Sequence, residues 1–150
     1  MERIIFIASD HAGFELKEKV CRWLKLNKNF KVTDLGPNST DSVDYPDFAN
    51  KLSSVMKTEP NSTGVLICGS GQGMAIRANK YSWIRAALVY SKEIAVLSRE
   101  HNDANVICLG SRFCTESDSI AWVNEFLSVP FAGGRHATRV AKLSLDAKGN

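Results

Sequence analysis

Apolar runs alternate with stretches of helical periodicity along the whole chain. "RIIFIA" (3–8) has the near-continuous apolar character of a strand covered on both faces. In "AGFELKEKVCRWLKLN" (12–27), Leu16, Val20, Trp23 and Leu24 share one helical face. "KVTDLG" (31–36) predicts a second strand, ended by Gly36-Pro37. After a polar loop, "DFANKLSSVMK" (47–57) places Phe48, Leu52, Val55 and Met56 together on a second helix. "GVLICG" (64–69) is a third strand, followed by glycines and a helix. A strand in "IRAALVY" (84–90), a helix in "SKEIAVLSREH" (91–101), a strand in "NVICLG" (105–110) and a helix from about Ser117 to Leu127 continue the alternation. A last helical stretch, "HATRVAKLSLDAK", follows the loop "PFAGGR".

Five β–α alternations predict a parallel sheet with helices on both faces. The expected fold is a three-layer αβα sandwich built on a Rossmann-like five-stranded parallel sheet. No internal repeat, low-complexity segment or linker divides the chain, so residues 1–150 are read as one domain, long enough to bury a core. The pattern leaves open the strand order in the second half of the sheet. In such folds ligands bind beyond the carboxyl ends of the strands, near a switch in strand order. The segments to examine are therefore "SDHAG", "LGPNSTDSVDYPD", "CGSGQG", "YSKE" and "GSRF".

Composition narrows the choice of partner. Hydrophobic residues make up 44%, charged residues 23%, and the net charge is +3, with no basic cluster resembling a nucleic-acid arm. The apolar run Ile4–Ala8 is too short to span a membrane, and nothing like a signal-peptide cleavage site follows it. The expectation is a cytoplasmic protein that binds neither nucleic acid nor membrane. Cys21, Cys68, Cys108 and Cys114 form no CxxC pair, so free thiols are expected rather than a zinc site.

Chemistry-bearing residues gather at the strand ends. Asp10 precedes the first helix and suits an N-cap; His11 beside it lies in a loop, where an imidazole can meet an anion or move protons. Asp41, Asp44 and Asp47 read as a solvated acidic loop, while Tyr45, before Pro46, is a candidate for a pocket mouth. "CGSGQG" supplies Gly69, Gly71 and Gly73 in a G-x-G-x-G spacing. This is not the dinucleotide G-x-G-x-x-G, and no Walker Lys-Ser/Thr follows. What remains is a row of backbone N–H groups suited to an anion or a developing oxyanion. Cys68 lies against those amides, where a thiolate base or nucleophile is plausible; a merely buried strand cysteine is the plain alternative. Ser70 has the same ambiguity, because a turn hydroxyl often bonds its own backbone.

"REHNDAN" carries His101, Asn102 and Asp103 in an α-to-β connection, at the sheet edge opposite Cys68. A strand of about five residues spans roughly 17 Å. If His101 acts with Cys68, it most simply comes from a second subunit across a two-fold interface; an Asn/Asp-rich turn is the plain alternative. Arg112 lies beyond the fifth strand, and Arg135 and Arg139, four apart, share a helical face suited to a phosphate or carboxylate, unless they are simply solvated. Together these groups fit proton-transfer chemistry on a small phosphorylated substrate, with no metal-ligand spacing and no cofactor loop.

"SDHAGFELK", "DYPDFA", "LICGSGQGMAIRANK", "LSREHNDANVICLGSR" and "GGRHATRV", in this order and with matching gaps from about Ile4 to Val140, resemble the B-type ribose-5-phosphate isomerases of the ribose/galactose isomerase family. The resemblance implies interconversion of D-ribose 5-phosphate and D-ribulose 5-phosphate in the pentose phosphate pathway, through an enediol and without metal or organic cofactor. It implies Cys68 as the base between C2 and C1, His101 and Asp10 as the ring-opening pair, and Ser70 near that chemistry or O1. The amides from Gly69 to Gly73 would hold the enediolate. His11, Arg112, Arg135 and Arg139 match phosphate contacts, and Tyr45 and Asn102 match sugar contacts. Family members are dimers or tetramers with shared sites, so the C-terminal helix is expected to extend to a partner subunit. Some members replace the cysteine by a glutamate later in the same loop; here that position is Met74, and the cysteine variant fits better. The family also includes isomerases of galactose 6-phosphate, which need two different subunits, and of allose 6-phosphate. A non-enzymatic sugar-phosphate or nucleotide sensor would need the arginines and glycines but no thiol base. A thiol hydrolase would need a water-activating arrangement, which the sequence does not reveal.

Overall fold

A computed structural model describes residues 2–146 and 148–150. The chain alternates β1 (Arg3–Ser9), α1 (Phe14–Lys25), β2 (Phe30–Asp34), α2 (Tyr45–Thr58), β3 (Thr63–Cys68), α3 (Gln72–Ala78), β4 (Ala86–Leu88), α4 (Lys92–Glu100), β5 (Val106–Gly110), α5 (Glu116–Ser128) and α6 (Arg135–Lys142). The five strands form one sheet in the order β2-β1-β3-β5-β4, and every pairing is parallel.

Alternation along the strands sorts side chains between two cores, because successive residues point to opposite faces. Ile5, Ile7, Val65, Ile67, Ile107 and Leu109 face α1, α4 and α5, meeting Leu16, Val20, Leu24, Ala95, Val123 and Phe126. Phe6, Ala8, Leu66, Cys68, Val106 and Cys108 face α2 and α3, meeting Ala49, Leu52, Met56, Met74 and Ala78. This is the expected three-layer sandwich, and it assigns Cys68 to the α2–α3 face.

The boundaries differ from the sequence reading in informative places. The fourth strand has three residues rather than seven; as an outer strand it pairs only with β5, and outer strands are commonly kept short. α2 begins at Tyr45, two residues earlier than its apolar pattern, because Pro46 fits the first turn, where no N–H is needed. α6 ends at Lys142; of the longer stretch expected there, Ala147 lies outside the described residues. α6 has no buried residue, whereas every other helix does. No described helix is long and apolar enough to cross a membrane.

The chain runs outward from β1 to β2, then returns to place β3 on the other side of β1. The reversal leaves a crevice between the carboxyl ends of β1 and β3, where Ser9 pairs with Ile67.

Candidate active site

Asp10 and Cys68 flank this crevice, each the residue at or just past its strand's end. The hollow has a volume of about 400 Å³ and is lined by Asp10, His11, Ala12, Tyr45, Cys68, Gly69, Ser70, Gly73 and Arg112. That size falls within the range of small-molecule sites. All of these except Ala12 are expected site residues, so candidates from the first, second, third and fifth strand ends meet in one place.

Cys68 forms the floor, only 5% exposed. The Gly71 N–H donates to its Sγ at 3.1 Å, so a backbone dipole is aimed at the sulfur. Gly71 adopts φ +78°, a left-handed conformation that suits glycine. Cys108 lies behind on the same face, and burial, reinforced by the neighbouring Cys68, pushes its thiol far up. The two cysteines therefore differ: Cys108 is an enclosed thiol, while Cys68 lines the hollow.

Asp10 does not act as the expected N-cap, because that position belongs to Gly13. Its Oδ1 instead accepts the Gly13 N–H at 2.9 Å, bracing the turn before α1. Its N–H donates to Ile67 O at 3.1 Å, tying it to β3. Oδ2 has no hydrogen-bond partner among the described residues and belongs to a side chain that lines the hollow. His11 is held through Nδ1, which stands 3.2 Å from both the N and the O of Val43. Either tautomer engages that edge, which leaves Nε2 as the ring nitrogen available to a ligand.

Tyr45 packs on Gly73: a Cβ there would stand 2.4 Å from the phenol ring. The glycine therefore admits the tyrosine to the rim, where Tyr45 is 41% exposed. Arg112 is held by its backbone, its N–H donating to Gly69 O at 3.1 Å, and its guanidinium lies over Gly69. That guanidinium makes no ion pair among the described residues, so its charge is available at the mouth. Ser70 is exposed, and its Oγ accepts the Gln72 N–H at 3.3 Å, so part of its role is local. Met74 is fully buried in the α2–α3 core and contributes nothing to the hollow.

The remaining candidates stand elsewhere. Asn105 O accepts the Gly64 N–H at the start of β3, which puts the "HNDAN" turn at the opposite sheet edge from Cys68. His101 caps α4 there, and its ring stacks on His136 with centroids 4.3 Å apart and planes 13° off parallel. The Ala132 N–H donates to Glu100 O at 3.1 Å, docking the loop before α6 on the same helix end. Arg135 and Arg139 lie within electrostatic reach of His136. His101, Asn102, Arg135 and Arg139 thus belong to a second group, apart from Cys68. Sequence reasoning misses His136, although its place between Arg135 and Ala137 in "GGRHATRV" is an available signal. It also misses Val43, which acts through its backbone and leaves no side-chain signature. Among the described residues no cluster of His, Cys, Asp and Glu could hold a metal ion.

The parallel sheet brings a thiol, a carboxylate and a guanidinium without an ion pair among the described residues to its switch point, an arrangement chemically suited to proton transfer on a small anion. The ribose/galactose isomerase family model matches residues 5–143, and the chain belongs to that family. A probable ribose-5-phosphate isomerase B of Mycoplasma pneumoniae is 49% identical over 144 residues, covering 95% of this chain and 94% of the relative. Ribose-5-phosphate isomerase B of Escherichia coli is 36% identical over 144 residues, covering 96% and 95%. The crystal structure of the Mycoplasma genitalium ribose-5-phosphate isomerase B with bound ribulose 5-phosphate superposes with a TM-score of 0.91 at 46% identity, covering 96% of this chain and 95% of that one. A ribose 5-phosphate isomerase structure from Thermotoga maritima has the same TM-score and identity and covers 96% and 99%.

Proposed function

We propose that this chain, acting as one isomerase domain over residues 1–150, interconverts D-ribose 5-phosphate and D-ribulose 5-phosphate in the cytoplasmic pentose phosphate pathway. The observation that carries the reading is the Cys68 sulfur at the floor of the switch-point hollow, with the Gly71 N–H on it and Asp10 across the crevice. The similarity to ribose-5-phosphate isomerases over nearly the whole chain supports the choice of substrate.

Ring opening comes first. A base takes the proton from O1 of the furanose, the C1–O4 bond breaks, C1=O forms, and an acid returns a proton to O4. Asp10 and His101 are assigned to this pair. Cys68 as thiolate then removes the C2 proton, and the electron pair moves to give an enediolate whose oxygens face the amides from Gly69 to Gly73. Protonation of O1, loss of the O2 proton and return of a proton to C1 complete the ketose. His11, Arg112, Arg135 and Arg139 are assigned to the phosphate, Tyr45 and Asn102 to the sugar, and Ser70 to O1.

This assignment needs two subunits, because His101 and Arg135 stand at the sheet edge opposite Cys68. A two-fold dimer, alone or within a tetramer, brings the second group of each subunit to the first group of the other, with α6, which has no fully buried residue on its own chain, reaching across.

Mixing Cys68→Ala and His101→Asn subunits tests both claims. Each variant alone should lose at least about 10²-fold in turnover. After verified subunit exchange, mixed dimers should regain one working site. Near wild-type turnover by Cys68→Ala would remove it as the base, and no recovery on mixing would remove the shared site. Parallel assays with six-carbon aldose 6-phosphates separate the pentose reading from its hexose alternative.

A further inference from the structure

Asp103 adopts φ +46°, and it is the non-glycine residue with positive φ among the described residues. Aspartate tolerates this left-handed conformation better than most side chains, but it does not adopt it by default. Arg85 Nη2 donates to Asp103 Oδ2 at 3.0 Å, and Arg85 Nε donates to the Asp103 carbonyl at 2.7 Å. Arg99 Nη1 donates to Oδ1 at 3.0 Å, while the Asp103 N–H donates to Arg99 O at 3.1 Å. Both carboxylate oxygens and both backbone groups are therefore engaged. Arg99 is itself seated over the Phe126 ring at 5.6 Å. The three side chains are 22%, 15% and 32% exposed for Arg85, Arg99 and Asp103, so solvent screens this network less than a surface pair.

The clamp joins three elements at one residue: Arg85 precedes β4, Arg99 lies in the last turn of α4, and Asp103 leads toward β5. The residues it restrains are the two immediately before it. His101 still bonds Leu97 O as the cap of α4, Asn102 is exposed, and the left-handed step at Asp103 turns the chain back into the sheet.

We infer that Asp103, gripped by Arg85 and Arg99, is a positioning residue that holds His101 and Asn102 in the geometry ring opening requires. The inference rests on the assignment of His101 to ring opening. Displacement of a catalytic group by about 1 Å can cost about 10²-fold in rate, so a loosened turn should slow that step.

Ribulose 5-phosphate separates ring opening from proton transfer. Its O5 is esterified and its O4 is too near C2 to close a five-membered ring, so it remains open. Deuterium uptake at its C1 from heavy water needs the proton-transfer base but no ring opening, whereas turnover of ribose 5-phosphate needs both. The two rates are measured on the full-length oligomer for wild type, Asp103→Ala, Asp103→Asn, Arg85→Lys and His101→Asn.

Asp103→Ala should lower the ratio of turnover to exchange by about tenfold or more. Asp103→Asn, which keeps an acceptor and tolerates the left-handed step, should recover part of it. A wild-type ratio in Asp103→Ala, or an equal fall in both rates, would overturn the inference. If Asp103→Ala does not fold, Arg85→Lys decides: it keeps the charge but cannot hold the carbonyl and the carboxylate together, and a wild-type ratio there overturns the inference equally. His101→Asn reports on the underlying assignment separately. An unchanged ratio in that variant would mean that ring opening belongs elsewhere.

Discussion

The Gly71 N–H meets the Cys68 sulfur at 3.1 Å, and Gly71 itself turns left-handed between β3 and α3. A side chain at Gly71 would strain that turn and place its Cβ 2.6 Å from Leu88 Cδ1 and 3.0 Å from the Leu109 carbonyl carbon. Gly71→Ala should cost about 1–3 kcal/mol of stability and turn the amide off the sulfur. The expected result is a lower urea midpoint with kcat falling more than KM rises. Unchanged kcat in a destabilised variant would deny the amide a part in catalysis.

Gly73 and Tyr45 occupy each other's space, since a Cβ on Gly73 would come within 2.4 Å of the ring. Gly73→Ala should displace the phenol, raise KM and destabilise the fold by about 1–3 kcal/mol. Tyr45→Ala should remove most of the added destabilisation when combined with Gly73→Ala. A double-mutant cycle of thermal unfolding checks this, and additive losses would contradict the contact.

Lys17 is fully buried, 2.5 Å from Asp34 and 2.8 Å from Glu18. Burial lowers its pKa, but the hydrogen bonds and charges of Asp34 and Glu18 outweigh burial and leave it raised. The folded chain therefore holds this proton more tightly than the unfolded chain. Its contribution is complete below the ordinary lysine value of about 10.4 and is lost as pH rises through the higher folded value. Urea midpoints between about pH 9 and 11.5 should fall faster for wild type than for Lys17→Met. At neutral pH Lys17→Met should cost about 2–3 kcal/mol, below the full cost of breaking a buried pair because Asp34 keeps 24% exposure.

His136 faces His101, Arg135, Arg139 and Glu100. Desolvation, then the neighbouring His101, Arg135 and Arg139, lowers its pKa, with Glu100 opposing them. A lowered imidazole disfavours the docked arrangement as pH falls below the ordinary value of about 6.5, not above it. Its ring signals in an NMR titration should move with a midpoint below that value. His101→Asn should bring the midpoint upward, and no change would mean that the stack does not couple the two rings.

Much of the first group of site residues is legible along the chain. "SDHAG", "CGSGQG" and "GSRF" follow apolar runs, and parallel strands bring such ends to one edge whatever their order. The local partner of Asp10 is not legible in the same way. Its side chain suits a cap, but the chain makes a turn over residues 11–13 before α1 begins at Phe14, and the cap position passes to Gly13. The clamp on Asp103 is illegible, since Arg85, Arg99 and Asp103 are each ordinary in sequence and meet only where β4, α4 and the turn converge.

By itself the sequence determined the layers and the polarity of the sheet, because apolar periodicity dictates which faces must be covered and each β–α step points the strands one way. It also separated Cys68 from His101, since an α-to-β turn and a β-to-α turn lie at opposite edges. Only tertiary structure decided that β5 enters between β3 and β4, that Cys108 is closed in while Cys68 is open to the hollow, and that His136 stacks on His101. Those outcomes depend on contacts between segments far apart in the chain, whose energies no local pattern records.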